Sequence, residues 1–220
     1  MTADTPAKAG SDFLPGDGAT MGRRARAIGA VRGLAQRWKA RIFLALADQG
    51  LGSAGNFLLT ILCVIWLPLD DFGRYVLVMS VSLLIEVGQA SLILDSMPAV
   101  VARYGQRNRR RLEVACLWVV MIYSAATSAA VLLSVPVFAL WAPEFALPLT
   151  CLALANPFQR LYVFLRRLCY IRDRQQAAAV ASAANCACLL GGVTALHFTG
   201  QLSVPALLLL WGFANGVSAL

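Results

Sequence analysis

The stretch Leu46-Ala47-Asp48-Gln49-Gly50-Leu51-Gly52-Ser53-Ala54-Gly55-Asn56-Phe57-Leu58-Leu59-Thr60 decides how this chain folds. It lies inside a longer apolar run, about Ile42 to Leu67, which is long enough to cross a bilayer as a helix. At 100° per residue, Asp48, Gln49, Ser53, Asn56 and Thr60 fall within an arc of roughly 140°. Leu51, Phe57, Leu58, Ile61 and Leu62 fill the opposite arc. A helix surrounded only by lipid has no use for a polar stripe, because each buried polar group needs a partner. The stripe therefore predicts a helix with two environments, one apolar and one wetter.

Working outward, the turn Pro68-Leu69-Asp70-Asp71-Phe72-Gly73 and a second apolar run to about Val101 complete a hairpin. Further apolar runs of about 20 residues follow. Of the 220 residues, 59% are apolar and 14% charged, against about 45–50% and about 25% in soluble domains. The composition excludes an ordinary soluble core and predicts an all-α integral membrane protein with six transmembrane helices. The approximate spans are 42–67, 74–101, 114–140, 147–165, 177–198 and 204–220, preceded by a basic segment over 1–41. Met1 to Thr20 lacks periodicity and reads as disordered. From Gly22 to Arg41 an Arg-rich helix puts Ile28, Val31, Leu34, Ala35 and Trp38 on one face. It serves either as a helix on an anionic leaflet or as a topology signal.

The formal charge of +8 does not point to nucleic acid, because its placement is that of membrane topology. Eight Lys and Arg precede the first span, five lie between spans two and three, and five lie in or near the loop between spans four and five, leaving only Arg74. That bias puts the N-terminus and two basic loops, Arg103 to Arg111 and Arg166 to Arg174, in the cytoplasm, with three short outer turns. Both termini are expected there. Five of the six cysteines lie in apolar spans and none forms a Cys-x-x-Cys pair, so they read as small hydrophobes. The fifth span carries small residues at four-residue spacing, Ala177, Ala181 and Asn185 with Ala178 and Ser182, as close helix packing requires. Pro157 is a candidate kink in span four.

Ionisable residues at bilayer depth are costly, so each is expected to face a cavity or a partner. At about 1.5 Å per residue, Asp48 lies about 10 Å from Arg41, Asp95 about 12 Å from Arg103 and Arg160 about 9 Å from Arg166, a single shared depth. Glu86 lies deeper, about 18 Å from Arg74, on a face with Ser82 and Gln89. Asp48 and Arg160 are the expected pair, either a structural bridge or a functional one. The candidate cavity residues are Asp48, Gln49, Asn56, Glu86, Gln89, Asp95 and Arg160. No catalytic, cofactor or metal constellation is read. Gly52-Ser53-Ala54-Gly55 is not a nucleophile elbow, a rhomboid-like protease signature is missing, and His197 reads as an interfacial residue.

Leu46-Ala47-Asp48-Gln49-Gly50, Gly55-Asn56-Phe57-Leu58, Asp70-Asp71-Phe72-Gly73-Arg74-Tyr75, Ala90-Ser91-Leu92-Ile93-Leu94-Asp95-Ser96-Met97 and Leu165-Arg166-Arg167-Leu168-Cys169-Tyr170 follow one another in an order that resembles the N-terminal half of bacterial oligosaccharide flippases. These are the Wzx-type polysaccharide biosynthesis proteins of the superfamily that includes the MATE exporters and lipid II flippases. The resemblance covers about Ala45 to Arg174. It implies alternating access to a central cavity that passes a lipid-linked saccharide across the bacterial inner membrane, without a cofactor or covalent step. Family members carry two six-helix lobes, so the chain is expected to be one lobe, a truncated or half-length member. It would pair with a second six-span lobe or a copy of itself. An anionic cargo implies a cavity cation, and Arg160 is the in-span candidate. The alternatives are a non-transporting membrane scaffold of a glycan-assembly complex and a MATE-like small-molecule exporter. The exporter would want cavity carboxylates without basic partners.

Overall fold

A computed structural model describes residues 18–219 as backbone, and the side chains of Lys39, 42–97 and 110–219. The described residues are helical and contain no strand. The helices are α1 (Gly18–Trp66), α2 (Leu69–Gln89), α3 (Met97–Trp141), α4 (Ala146–Ile171), α5 (Gln175–Phe198) and α6 (Val204–Ser218). A π-helical segment, Ala90–Leu94, extends α2, and a 3₁₀ turn, Pro143–Phe145, precedes α4. The chain divides into two compact units, Met1–Phe43 and Leu44–Leu220. In the first unit the backbone is helical from Gly18. The apolar face expected there, Ile28 to Trp38, lies outside the described side chains; the disorder expected for Met1 to Thr20 is corrected at residues 18–20, which are helical, and its first 17 residues lie outside the described ones.

Everything below concerns the second unit. Among the described residues four segments are long and apolar enough to cross a membrane: Ile42–Trp66, all but its first two residues in this unit, Leu69–Leu94, Arg110–Trp141 and Gln175–Phe198. The other two helices depart from the six-span expectation for separate reasons. Helix α6 has 15 residues, about 22 Å of rise. Helix α4 carries Asn156, Pro157, Gln159 and Arg160 in its middle, and twelve of its 26 residues are buried. It packs against α2, α3, α5 and α6. A helix surrounded by helices meets polar partners and does not need an apolar surface on every side.

The close packing has a local cause. A Cβ on Gly212 would fall 2.6 Å from the Cβ and 2.8 Å from the Cα of Ala155. Only glycine therefore lets the backbones of α4 and α6 approach this closely. One apolar cluster gathers Leu59, Cys63, Val78, Leu152, Val193 and Leu208. A second gathers Ile93, Met97, Val120, Phe164 and Leu168. Buried Cys63 and Cys151 act as small hydrophobes in the first cluster, and all six cysteines are free. Asn156 ties α4 to α3, its Nδ2 donating to Thr127 Oγ1 and Ser128 Oγ at 3.0 Å each.

Three expected boundaries are corrected. The second apolar run stops at Leu94, and Asp95 and Ser96 form a turn. The reason is Pro98, which lacks a backbone donor and is accommodated in the first turn of α3. The expected basic loop at 103–111 is helical backbone within α3. Arginine and glutamine favour helix, and nothing in that run terminates one. For the same reason the expected loop at 166–174 begins as helix, since α4 runs through Arg166 to Ile171. The chain then reverses over Arg172 to Arg174, with Asp173 at φ 61°. Helix α4 passes Pro157 as one assigned helix.

Candidate functional site

The apolar bundle holds a cavity of about 430 Å³ whose walls mix polar side chains with apolar ones such as Leu59, Met79, Leu189 and Trp211. Gly52, Asn56 and Thr60 of α1 line it together with Ser82 and Glu86 of α2. Helix α4 contributes Gln159, Tyr162 and Arg166, α5 contributes Ser182, Asn185 and Cys186, and α6 contributes Asn215. On α1 the lining takes Asn56 and Thr60 from the polar stripe together with Leu51 and Leu59, whereas Gln49 and Ser53 of the stripe are exposed and do not line the cavity. Phe57 and Leu58, on its opposite arc, are exposed.

Two charged clusters bound the cavity. In the first, Asp48 is fully buried and accepts four hydrogen bonds. Arg166 Nε and Nη2 donate to its Oδ2 at 3.0 and 2.7 Å. The Tyr170 hydroxyl donates to the same oxygen and Ser182 Oγ donates to Oδ1. Ser182 Oγ also lies 3.2 Å from the Tyr162 hydroxyl. The Arg166 side chain keeps 26% of its surface exposed, whereas Asp48 keeps 0%. The buried member is the acid, and the base reaches the cavity.

In the second cluster the polarity is reversed. Arg160 is fully buried, and its Nη2 lies 3.8 Å from Glu86 Oε2, whose side chain is 38% exposed. Arg160 donates to Gln89 Oε1 at 3.3 Å and to Ser82 Oγ at 3.5 Å. Gln89 Nε2 in turn donates to the Arg160 carbonyl at 3.1 Å, and Gln159 Nε2 donates to Glu86 at 3.2 Å. Arg160 Nε and Gln159 Oε1 remain buried without a partner among the described residues. Unmet groups of this kind are uncommon and often belong to sites that receive water or ligand.

The expected Asp48–Arg160 pair is therefore corrected: Asp48 pairs with Arg166, and Arg160 with Glu86. The cause is the boundary of α4. Measured from Ile171, where α4 ends, Arg160 lies about 16 Å along the helix and Arg166 about 8 Å. Arg160 thus sits at the level of Glu86, while Arg166 sits at that of Asp48. The shared face of Ser82, Glu86 and Gln89 is as expected, and all three meet Arg160. Asn56 lines the cavity. Gln49 is exposed and is not among the lining residues. Asp95 is 70% exposed and faces Arg167 at 3.8 Å, apart from both clusters.

Sequence reasoning missed Tyr170 and Ser182 as partners of Asp48. Ser182 carried a usable signal, because it lies four residues from Ala178 on the small-residue face of α5 that packs inward. Beyond the cavity, Arg172 is bonded to Glu113, and that bond holds its guanidinium protonated even more firmly than usual. His197 stacks on Trp66 with ring centroids 4.2 Å apart, at the ends of α5 and α1.

No family model, curated protein or solved structure matches the chain.

Proposed function

We propose that the chain is a multi-pass protein of the bacterial inner membrane, its N-terminus cytoplasmic, that translocates a lipid-linked oligosaccharide or polysaccharide precursor by alternating access. It would act beside a second six-helix lobe or as a homodimer. The observation that carries this reading is the cavity between a carboxylate, Glu86, and a guanidinium, Arg166, each backed by a fully buried partner of opposite charge. A sugar-phosphate head group brings negative charge and many hydroxyls. Arg166 answers the charge, and Glu86, Gln159, Asn185 and Asn215 offer acceptors and donors to the hydroxyls. Four segments with membrane-spanning length and apolarity support the location, and the reading needs no covalent step.

The pairing of the acids favours this cargo over a small cationic one. Asp48, Glu86, Asp95 and Glu113 each face an arginine. A site for an organic cation would leave such carboxylates uncompensated.

The test is reconstitution of the purified chain into liposomes that carry a fluorescent lipid-linked oligosaccharide in both leaflets. A membrane-impermeant quencher then reports the fraction that reaches the outer leaflet. The expected result is quenching beyond the outer-leaflet fraction, abolished in Glu86→Gln at equal protein incorporation. Quenching confined to the outer leaflet, for the chain alone and for its cross-linked dimer, would remove transport and leave the scaffold reading.

A further inference from the structure

Four buried polar atoms without a hydrogen-bond partner among the described residues lie along one face of α4 and the part of α3 it packs against: Ser124 Oγ, Asn156 Oδ1, Gln159 Oε1 and Arg160 Nε. Their residues are at most 8% exposed. Asn156, Gln159 and Arg160 stand three and four residues apart, so they are neighbours on the surface of α4. Asn156 Nδ2 lies 3.4 Å from the carbonyl of Ser124 across the seam. Folded proteins leave few such groups unmet, and here they are concentrated within about one helical turn.

The two amides cannot be turned to hide the deficit. Gln159 Nε2 donates to Glu86 Oε2, and a carboxylate only accepts. Asn156 Nδ2 faces the Ser124 carbonyl, which also only accepts. Each amide oxygen is thereby left as an acceptor. Arg160 Nε is a donor, and the Ser124 hydroxyl is both. An anion would be repelled by the two amide oxygens, and a cation by Arg160. An apolar occupant would leave all four atoms unmet. A ligand that both donates and accepts meets them all, and the smallest is water. At about 1.5 Å per residue, Asn156 and Arg160 are about 6 Å apart along the axis, the span of about two waters at a hydrogen-bond spacing of about 2.8 Å. Gln159 and Glu86 line the central cavity, so the seam has an entrance.

We infer that the α3–α4 seam binds a short file of water. It enters from the cavity at Gln159, accepts from Arg160 Nε, and ends between Asn156 Oδ1 and Ser124 Oγ. The file gives the sealed guanidinium a further partner and hydrates the seam between two packed helices. It follows from the geometry alone and does not rest on the transport reading.

Water-edited solid-state NMR on the isotope-labelled full chain in lipid bilayers tests this, because it follows magnetisation from water into individual side chains. Transfer is expected at both Arg160 Nε and the Asn156 carboxamide. In Ser124→Val the added methyls take the place of the last water, so transfer is lost at Asn156 and kept at Arg160. Ser124→Ala supplies an independent reading through the sign of its effect on stability. If the hydroxyl holds water, its removal lowers the folding equilibrium constant about fivefold, the worth of one hydrogen bond. If the seam is dry, removing an unmet hydroxyl leaves that constant unchanged or raises it.

Transfer at Arg160 without transfer at Asn156 would confine water to the cavity and overturn the file. Undiminished transfer at Asn156 in Ser124→Val would overturn its end point. A folding constant for Ser124→Ala equal to or above that of the parent would remove Ser124 as a ligand. None of these readouts depends on transport.

Discussion

The two charged clusters on α4 are built with opposite polarity. At Asp48 the acid is sealed and the base, Arg166, touches the cavity. At Arg160 the base is sealed and the acid, Glu86, touches the cavity. One helix supplies the cation to both, six residues and about 9 Å apart. The difference teaches what each variant leaves behind. Removing the cavity-facing partner strands a charge with no route to water, whereas removing the sealed partner leaves a charge that can reorient toward the cavity.

The largest expected effect is therefore at Arg166. Arg166→Leu leaves the Asp48 carboxylate buried with only the Tyr170 and Ser182 hydroxyls, and is predicted to cost about 3–5 kcal/mol. Reversible unfolding in mixed micelles measures this, and a loss no larger than that of Asp48→Asn would contradict the asymmetry. Glu86→Ala strands Arg160, but at 3.8 Å the ion pair is loose, and Gln89 and Ser82 still accept from the guanidinium. The predicted cost is about 1.5–3 kcal/mol, the scale of one hydrogen bond to a charged group. The same unfolding assay should rank it below Arg166→Leu, and the reverse order would make the second cluster the structural one.

Arg172→Gln removes a partner of Glu113 at the same end of the bundle, where the arginine is 44% exposed. Its predicted cost is about 1–2 kcal/mol, below that at Arg166, because the Glu113 side chain is only 7% exposed but its partner lies at the solvent edge. Arg167→Gln, opposite the exposed Asp95, should change stability by less still and fall with added salt. A cost at Arg167 equal to that at Arg166 would show that burial does not set the ranking.

The sequence showed the bundle more clearly than it showed the pairs. The small residues of α5 and the shared face of Ser82, Glu86 and Gln89 follow from a fixed 100° step and survive folding, whereas the polar arc of α1 does so in part, with Asn56 and Thr60 at the cavity and Gln49 and Ser53 exposed. Pairing between helices depends on axial level, which depends in turn on where each helix ends. Arg166-Arg167-Leu168-Cys169-Tyr170 was read as loop because it is basic, yet it contains no helix breaker. Extending α4 by six residues moved Arg160 up to Glu86 and brought Arg166 to Asp48. The role of Tyr170 was hidden for the same reason. Helix α4, expected as the fourth span over 147–165, is less apolar than its longest neighbours, and its polar residues are met by neighbouring helices.

The measurement that tests this account most directly is a pair of double-mutant cycles on Asp48, read by unfolding free energy. One cycle combines Asp48→Asn with Arg166→Gln, and the other combines Asp48→Asn with Arg160→Gln. Two separate pairs predict a coupling of about 1–3 kcal/mol in the first cycle and additivity within about 0.5 kcal/mol in the second. Strong coupling of Asp48 to Arg160, with additivity toward Arg166, would contradict the account and restore a single bridge across the bundle.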